Sequence, residues 1–296
     1  MARFSLAALA RVIFGTAPAA CLPSFRLPGI LLPGFLLFSL LLSGITAVAP
    51  SPAAAQGLLN TDNQDGAPIE ILADDGIEWL RDQRQYIARG NATASRGGVT
   101  VRADTLTAHY RGGEDGQKQA IYRLDADGNV VVTSEGTKAV GDKAVYHLDD
   151  KVAVLVGDNL KMINERAVIT AKDSLEYWDA KQLAVARGDA TVIENENRLV
   201  ADILTAHIKK AANGKQEVER IDALGGVLIS TKSEIVRGEE GVYEVPKQVA
   251  TVCGNVKITR GENQLNGDCA VVDLKTGRSR MTGGSGKVKG LILPTQ

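Results

Sequence analysis

The sequence predicts an all-β chain: bent antiparallel strands stacked as rungs, with the stack internally duplicated. Three observations carry this: a long internal repeat, a shorter glycine-marked beat inside it, and apolar–polar alternation that changes face at a fixed place in each beat. The long repeat is read by direct comparison. ARGNATASRGGVTVRADTLTAHYR from Ala88 matches ARGDATVIENENRLVADILTAHIK from Ala186, and YRLDADGNVVVTSEGTKAVGDKAVYHL from Tyr122 matches ERIDALGGVLISTKSEIVRGEEGVYEV from Glu219. VAVLVGDNLKM from Val152 matches VATVCGNVKIT from Val249. Two copies, about 69–166 and 167–263, and a final rung follow from this comparison.

The shorter beat is marked by Gly90, Gly128, Gly157, Gly188, Gly225 and Gly254, whose steps are 38, 29, 31, 37 and 29 residues. A second series, Ala73, Ala103, Gly141, Ala171, Ala201, Gly238 and Gly267, steps by 30, 38, 30, 30, 37 and 29. Two series with one period describe units that bury their apolar face only by stacking on their neighbours. The longer steps hold the charged, Gly-containing hairpin tips near Gly113 and Gly214.

Taken in order, residues 1–55 contain Arg3, Arg11 and Arg26, no acid, an apolar run from Leu27 to Val48, and Ala53-Ala54-Ala55 before Gln56. A basic start, an apolar centre and small residues at the end predict a secretory signal peptide cleaved after Ala55, hence an exported protein. The alternative is a retained membrane anchor. Loss of the three arginines moves the formal charge from −1 to −4, which disfavours nucleic-acid binding because that needs a basic face. Residues 56–67 read as a flexible, turn-rich leader and 68–282 as the folded stack.

Within the stack, Ile69, Ile71, Ala73, Ile77 and Trp79 alternate with polar residues, and Arg96-Gly97-Gly98 predicts a hairpin turn into Val99, Val101 and Ala103. Beyond Ala103 the apolar positions are Leu106, Ala108 and Tyr110, an odd number of steps away. The same switch follows Gly141 and Ala201. A change of face at a small residue implies a bend or bulge, so each rung is a folded strand and the stack encloses a core between two walls. Residues 283–296 lose the alternation and read as a loose tail.

Candidate chemistry is sparse. His109, His147 and His207 each lie six residues after the small residue of their rung, in a slot that elsewhere holds Trp79, Tyr177, Glu244 or Asp273. That pattern describes a strand surface, not a catalytic or metal-binding group. No metal-ligand spacing and no nucleophile elbow occur. Asp104, Asp142, Asp202 and Asp268 read as a solvated outer ladder, since spacings of one or two rungs of the beat do not suit calcium-binding turns. The chain therefore reads as a non-enzyme without a cofactor. Cys253 and Cys269 flank Gly261 on the two arms of one hairpin, in an oxidising compartment. Alternation alone does not put them face to face, so a disulfide stays open at this point.

What remains is a long apolar lining: Ile69, Ile71, Val99, Val101, Leu106, Val130, Val132, Val145, Leu155, Ile169, Leu175, Leu199 and Leu204. Two walls that meet at a bend and part at the other side would leave a trough for fatty chains. An acyl chain there is stabilised by ~0.8 kcal/mol per buried methylene.

PIEILADDGIEW from Pro68, followed by ARGNATASRGGVTVRADTLTAHYRGGEDGQ, resembles the OstA-like (LptA) family of periplasmic lipopolysaccharide-transport domains. The likeness rests on Pro68, Ile69, Ile71, Asp74, Gly90, Asn91, Gly98, Val101, Ala103, Asp104, Gly112, Gly113 and Glu114, and it extends to Arg280. It implies an elongated, twisted, V-shaped β-jellyroll with an apolar interior that binds the lipid A part of lipopolysaccharide. It also implies a Gram-negative envelope bridge that stacks head to tail between an LptC-like inner-membrane partner and an LptD-like outer-membrane partner. The cysteine pair and the extra rungs depart from the family pattern. Unpaired strands at the two ends of an open stack suit such strand addition, with Ile69, Ile71, Ile77, Leu265 and Val272 as the expected edges. The alternatives are a membrane-anchored LptC-like member of the same pathway and, from another class, a carbohydrate-active β-helix enzyme.

Overall fold

The computed structural model describes residues 69–293, without 113–118, 135, 166, 211–215, 233, 274, 275, 277 and 285. The expected signal segment 1–55, the leader 56–67 and the hairpin tips at Gly113 and Gly214 lie outside the described residues. Among those described there is no α-helix. The first copy comprises β1 (Glu70–Leu72), β2 (Gly76–Leu80), β3 (Gln85–Arg96), β4 (Val99–Arg111), β5 (Ala120–Ser134), β6 (Thr137–His147), β7 (Val152–Val156) and β8 (Lys161–Asn164). The second comprises β9 (Ala167–Thr170), β10 (Ser174–Trp178), β11 (Leu183–Glu194), β12 (Asn197–Lys210), β13 (Gln216–Ser230), β14 (Ile235–Glu244) and β15 (Val249–Arg260). A terminal half-turn adds β16 (Asn263–Asp273), β17 (Arg278–Thr282) and β18 (Lys289–Leu291).

All pairings are antiparallel, and the long strands contribute to two walls at once. Wall A runs β2-β3-β4-β5-β6-β7-β10-β11-β12-β13-β14-β15-β16-β17. Wall B runs β1-β3-β4-β5-β6-β8-β9-β11-β12-β13-β14-β15-β16-β18. Each wall is thus fourteen strands within the described residues. At a strand spacing of about 4.8 Å the stack is roughly 60 Å long. Where a chain segment breaks between walls it leaves a pair of short strands, as in β1/β2, β7/β8 and β9/β10.

The bend is made by register shifts at one height, between Arg89/Ala92, Asp127/Val130, Arg187/Ala190, Leu224/Val227 and Cys253/Val256. In each of these strands two consecutive residues adopt left-handed backbone, for example Gly128 (φ 81°) and Asn129 (φ 50°). The first is Gly because a side chain there has no room. A Cβ on Gly128 would stand 2.2 Å from Asp104 Oδ2, and one on Gly225 would stand 2.1 Å from Asp202 Oδ2. The acidic series is therefore more than a solvated ladder. Each carboxylate lies over the bend glycine of the next strand, and Asp104 Oδ2 also accepts from Asn129 Nδ2 at 2.9 Å.

Three expectations are corrected. The tail is not loose throughout: Gly283 and Gly284 make one more bend, and β18 pairs Lys289, Gly290 and Leu291 with Asn266, Leu265 and Gln264 of β16. Consequently Leu265 and Val272 do not lie on an edge. β16 is covered by β17 and β18, which form the C-terminal edge themselves. Val145 faces away from the interior, because it stands directly between Asp125 and Val154 on the outer face. Its neighbours Ala144 and Tyr146 point inward, as the two-residue period demands.

Candidate functional site

The interior between the walls is built from rows of directly paired residues. On wall A one row reads Ile77, Ala88, Leu106, Ala126, Ala144, Leu155, Leu175, Ala186, Leu204, Ala223, Gly241, Val252, Ala270 and Met281. Facing it on wall B stand Ile71, Ala94, Val101, Val132, Ala139, Met162, Ile169, Val192, Leu199, Ile229, Val236, Ile258, Leu265 and Gly290. Neither row contains a polar side chain. Both run unbroken through the joint between the copies, where Leu155 pairs with Leu175 and Met162 with Ile169.

Exposure is graded across the walls. Beside the bends, Ala92, Val130 and Ala190 are wholly buried. Further out, Ile71, Val101, Val132, Met162, Leu175 and Ile229 pack against that core but remain partly exposed. Of the expected lining, Ile71, Val101, Val132, Ile169 and Leu199 lie in the wall B row, and Leu106, Leu155, Leu175 and Leu204 in the wall A row. Val99 is one step nearer the rim of wall B, opposite Arg96, and Ile69 lies half-buried just before β1.

The two copies are not equal. In the wall B row Ala94, Val101, Val132 and Ala139 are replaced in the second copy by Val192, Leu199, Ile229 and Val236, each larger. Val192 and Leu199 are buried, whereas Ala94 and Val101 stay partly exposed. The first copy is the more open stretch.

The rims differ in chemistry. Wall A ends in aromatic side chains, Trp79, Tyr86 and Tyr110 in the first copy. The rings of Trp79 and Tyr86 lie 5.6 Å apart, those of Tyr86 and Tyr110 5.1 Å, and Trp79 Nε1 donates to Tyr110 Oη at 2.9 Å. Beside them is a shallow open concavity lined by Gln83, Arg84, Tyr110, Arg111 and Tyr122. The rim of wall B carries Arg96, Thr137 and Asn164, whereas Glu194, the second-copy counterpart of Arg96, is buried. Such a cross-section, polar at the lips and aliphatic below, suits an amphiphile rather than a reacting group.

On the outer face the duplication also repeats a polar cluster that sequence reading missed. His109 Nε2 lies 2.8 Å from Asp125 Oδ2, and Arg123 Nε donates to the other oxygen at 2.7 Å. His207, Asp222 and Arg220 repeat the arrangement at 2.8 and 2.5 Å. Cross-strand pairing brings these groups together, so the recurrence of RLD and RID near TAH was the only signal available. Cys253 and Cys269 are direct cross-strand partners joined by a disulfide, which ties β16 to β15. Among the described residues, no group of three His, Cys, Asp or Glu side chains could hold a metal ion.

Comparison with known proteins decides the family. The model described as LptA/(LptD N-terminal domain) LPS transport protein matches twice, over residues 70–173 and 168–278. The chain belongs to this family. It is a family of transport proteins, and the role of this chain lies in lipopolysaccharide transport. Two halves of one polypeptide each answer to the family pattern, in line with the duplicated strands. An uncharacterised protein of Rhizobium meliloti (strain 1021) is 24% identical over 135 residues, 44% of this chain and 73% of that relative. Among solved structures, Pseudomonas aeruginosa LptH, the LptA-homologous periplasmic component of a lipopolysaccharide transport device, is 20% identical. It covers 43% of this chain and 95% of its own, with a TM-score of 0.37.

Proposed function

We propose that this protein is a non-enzymatic periplasmic carrier that takes the acyl chains of lipid A into the trough between its walls. It passes lipopolysaccharide along a bridge from an LptC-like inner-membrane partner to an LptD-like outer-membrane partner, assembled by head-to-tail self-association. One observation carries the reading: two facing apolar rows that run through every strand of both walls without a polar side chain. A continuous row offers a sliding acyl chain an aliphatic surface at each rung, so no step along it needs a large desolvation. The aromatic and charged rims are suited to a headgroup that stays at the water boundary. The open first copy is the proposed place of tightest lipid contact.

The test is site-specific photocrosslinking to purified lipopolysaccharide. A photoreactive residue at Val101 is expected to crosslink strongly, its counterpart Leu199 more weakly, and Val131, which faces outward beside Arg102, hardly at all. Equal labelling at Val101 and Val131 would count against the trough.

A further inference from the structure

The outward faces of the two walls differ in charge. On wall B, the outward row next to the apolar one runs from Leu72 to Lys289. It carries Arg102, Lys161, Arg237, Lys257 and Lys289 and no acid. The other outward row, nearer the lip, adds Lys138 and Arg198, and its one acid is Glu70 on the first strand. All of these cations except the half-buried Lys161 are exposed. None of their side chains makes an ion pair among the described residues.

The surroundings of this strip are acidic or balanced. The two corresponding rows of wall A hold Glu78, Asp125, Glu176, Asp222, Glu244 and Asp273. There Arg123 binds Asp125, Arg220 binds Asp222 and Arg187 binds Glu176. The bend between the walls carries Asp104, Asp142, Asp202 and Asp268. The hairpin tips beyond the strip are mixed: Glu165 and Glu262 stand there with Arg96 and two ion pairs, Lys232–Glu196 and Arg260–Glu234. A formal charge near zero thus conceals one strip of unmatched cations.

The strip follows the trough. In wall order its cations stand on β4, β6, β8, β12, β14, β15 and β18, never more than three strands apart. That is a gap of about 15 Å at the usual strand spacing. Each cation is the sequence neighbour of a residue in the inward apolar row, as Arg102 is of Val101, Lys138 of Ala139 and Arg198 of Leu199. Aliphatic and cationic rows therefore run side by side along one wall, inside and outside. The two outward rows contain no Trp, Tyr or Phe, the residues with which a face docked on a bilayer anchors at the interface.

An amphiphile whose acyl chains occupy the trough brings its headgroup out over a lip. Toward wall A that headgroup meets stacked aromatic rings and outward acids. Toward wall B it meets lysine and arginine, which give phosphate groups charge-assisted hydrogen bonds. Each such exposed pair is weak and exchanges readily, so a headgroup can pass from one cation to the next as its acyl chains advance.

We infer that the outer face of wall B is the track for the cargo's anionic headgroup. Phosphate groups of its saccharide lie against Lys138 and Arg198 near the lip and against Arg102, Lys161, Arg237 and Lys257 behind them. The track rests on the carrier reading above and adds to it the side on which the headgroup travels and the charge that recognises it.

Binding of lipopolysaccharide to the mature chain, measured with intact and with phosphate-stripped lipid, is the test. R102E/K138E/R198E/R237E should bind intact lipid at least ~tenfold more weakly than wild type. R89E/K143E/K209E/K247E makes the same change of net charge with exposed cations on the wall A side, and its affinity should stay within about twofold of wild type. Stripping the phosphates should weaken wild type but not the wall B variant, which has already lost their partners. Should the reversed variant fail to fold, the four glutamine substitutions at the same positions should give the same order of effects at smaller size. Equal weakening by the two charge variants would reduce the effect to net charge and overturn the track, as would a wall B variant that still responds to phosphate removal. Vesicles of phosphatidylglycerol bound through these four residues, with no response of lipopolysaccharide binding to phosphate removal, would make the face a membrane dock instead. Crosslinking at Val101 at saturating lipid, read in the same samples, separates the two readings. No label in wild type sinks the carrier itself, whereas label without phosphate dependence in any chain sinks only the track.

Discussion

Among the described residues, the N-terminal edge and the joint inside the molecule are built from counterpart residues in two states of cover. At the edge, β2 presents Ile77, Glu78 and Trp79 to solvent. In the joint, β10 presents Leu175, Glu176 and Tyr177 at the same places, with β7 laid against them. Cover changes the chemistry of each. Burial of the Glu176 carboxylate opposes its charge, but hydrogen bonds from Arg187, Trp178 and Ser174 outweigh this and hold it below the ordinary glutamate range. Burial also pushes the Tyr177 hydroxyl up to about 12, while Gln216 Nε2 donates to its oxygen at 3.0 Å. The lesson is that this edge sequence is already compatible with a neighbouring strand, and that the neighbour turns loose surface pairs into tight ones.

The largest test of the comparison is backbone disruption. Val154→Pro in the covered joint removes the donor from a strand paired on both sides and should cost about 3 kcal/mol or more in chemical denaturation. Ile71→Pro, on a strand paired on one side only among the described residues, should leave the monomer folded and abolish end-to-end association. Equal loss of stability from both would erase the distinction. Next comes the staple at the far end: C253S with C269S should cost ~3 kcal/mol at most, since the bridge closes a short loop. The same hairpin position in the first copy is Val156, so no comparable effect is expected there. Replacing the covered carboxylate, Glu176→Gln, should cost about 1–2 kcal/mol, because three donors lose a charged acceptor. Glu78→Gln in the monomer should change stability very little.

The smallest effect sharpens the same pair through pH. A carboxylate whose folded pKa is depressed contributes stability that is present above its unfolded value. That contribution is lost as pH falls from the ordinary glutamate range, ~4.3, through the folded value. Acid titration of stability should therefore be shallower in Glu176→Gln than in wild type. A parallel acid profile in wild type and Glu176→Gln would remove the assignment.

Much of this architecture was legible in one dimension. Period-two alternation, the recurring Gly-Asn or Gly-Asp steps and the hundred-residue repeat are local, and they describe bent strands wherever the chain is read. Apolar residues in the inward rows, such as Val101 and Leu106, stand out because their neighbours on either side are polar. Val145 misled because Val140, Val145 and Val154 are apolar on the outer face too, and only pairing with Asp125 reveals the side. Leu265 and Val272, misplaced by sequence, and the Cys253–Cys269 pair, left undecided, share one cause. Whether β16 is the last strand depends on β18 returning through Gly283-Gly284, and whether Cys253 meets Cys269 depends on the exact hairpin register.

By itself, then, the chain's order of residues determined the strand content, the duplication, the heights of the bends and the apolar character of one face, because each is set by steric and hydrophobic preferences within a few residues. Tertiary structure alone decided which strands are edges and which carboxylates are covered. Those depend on contacts between residues far apart in the chain, where a shift of one position moves every side chain to the other face.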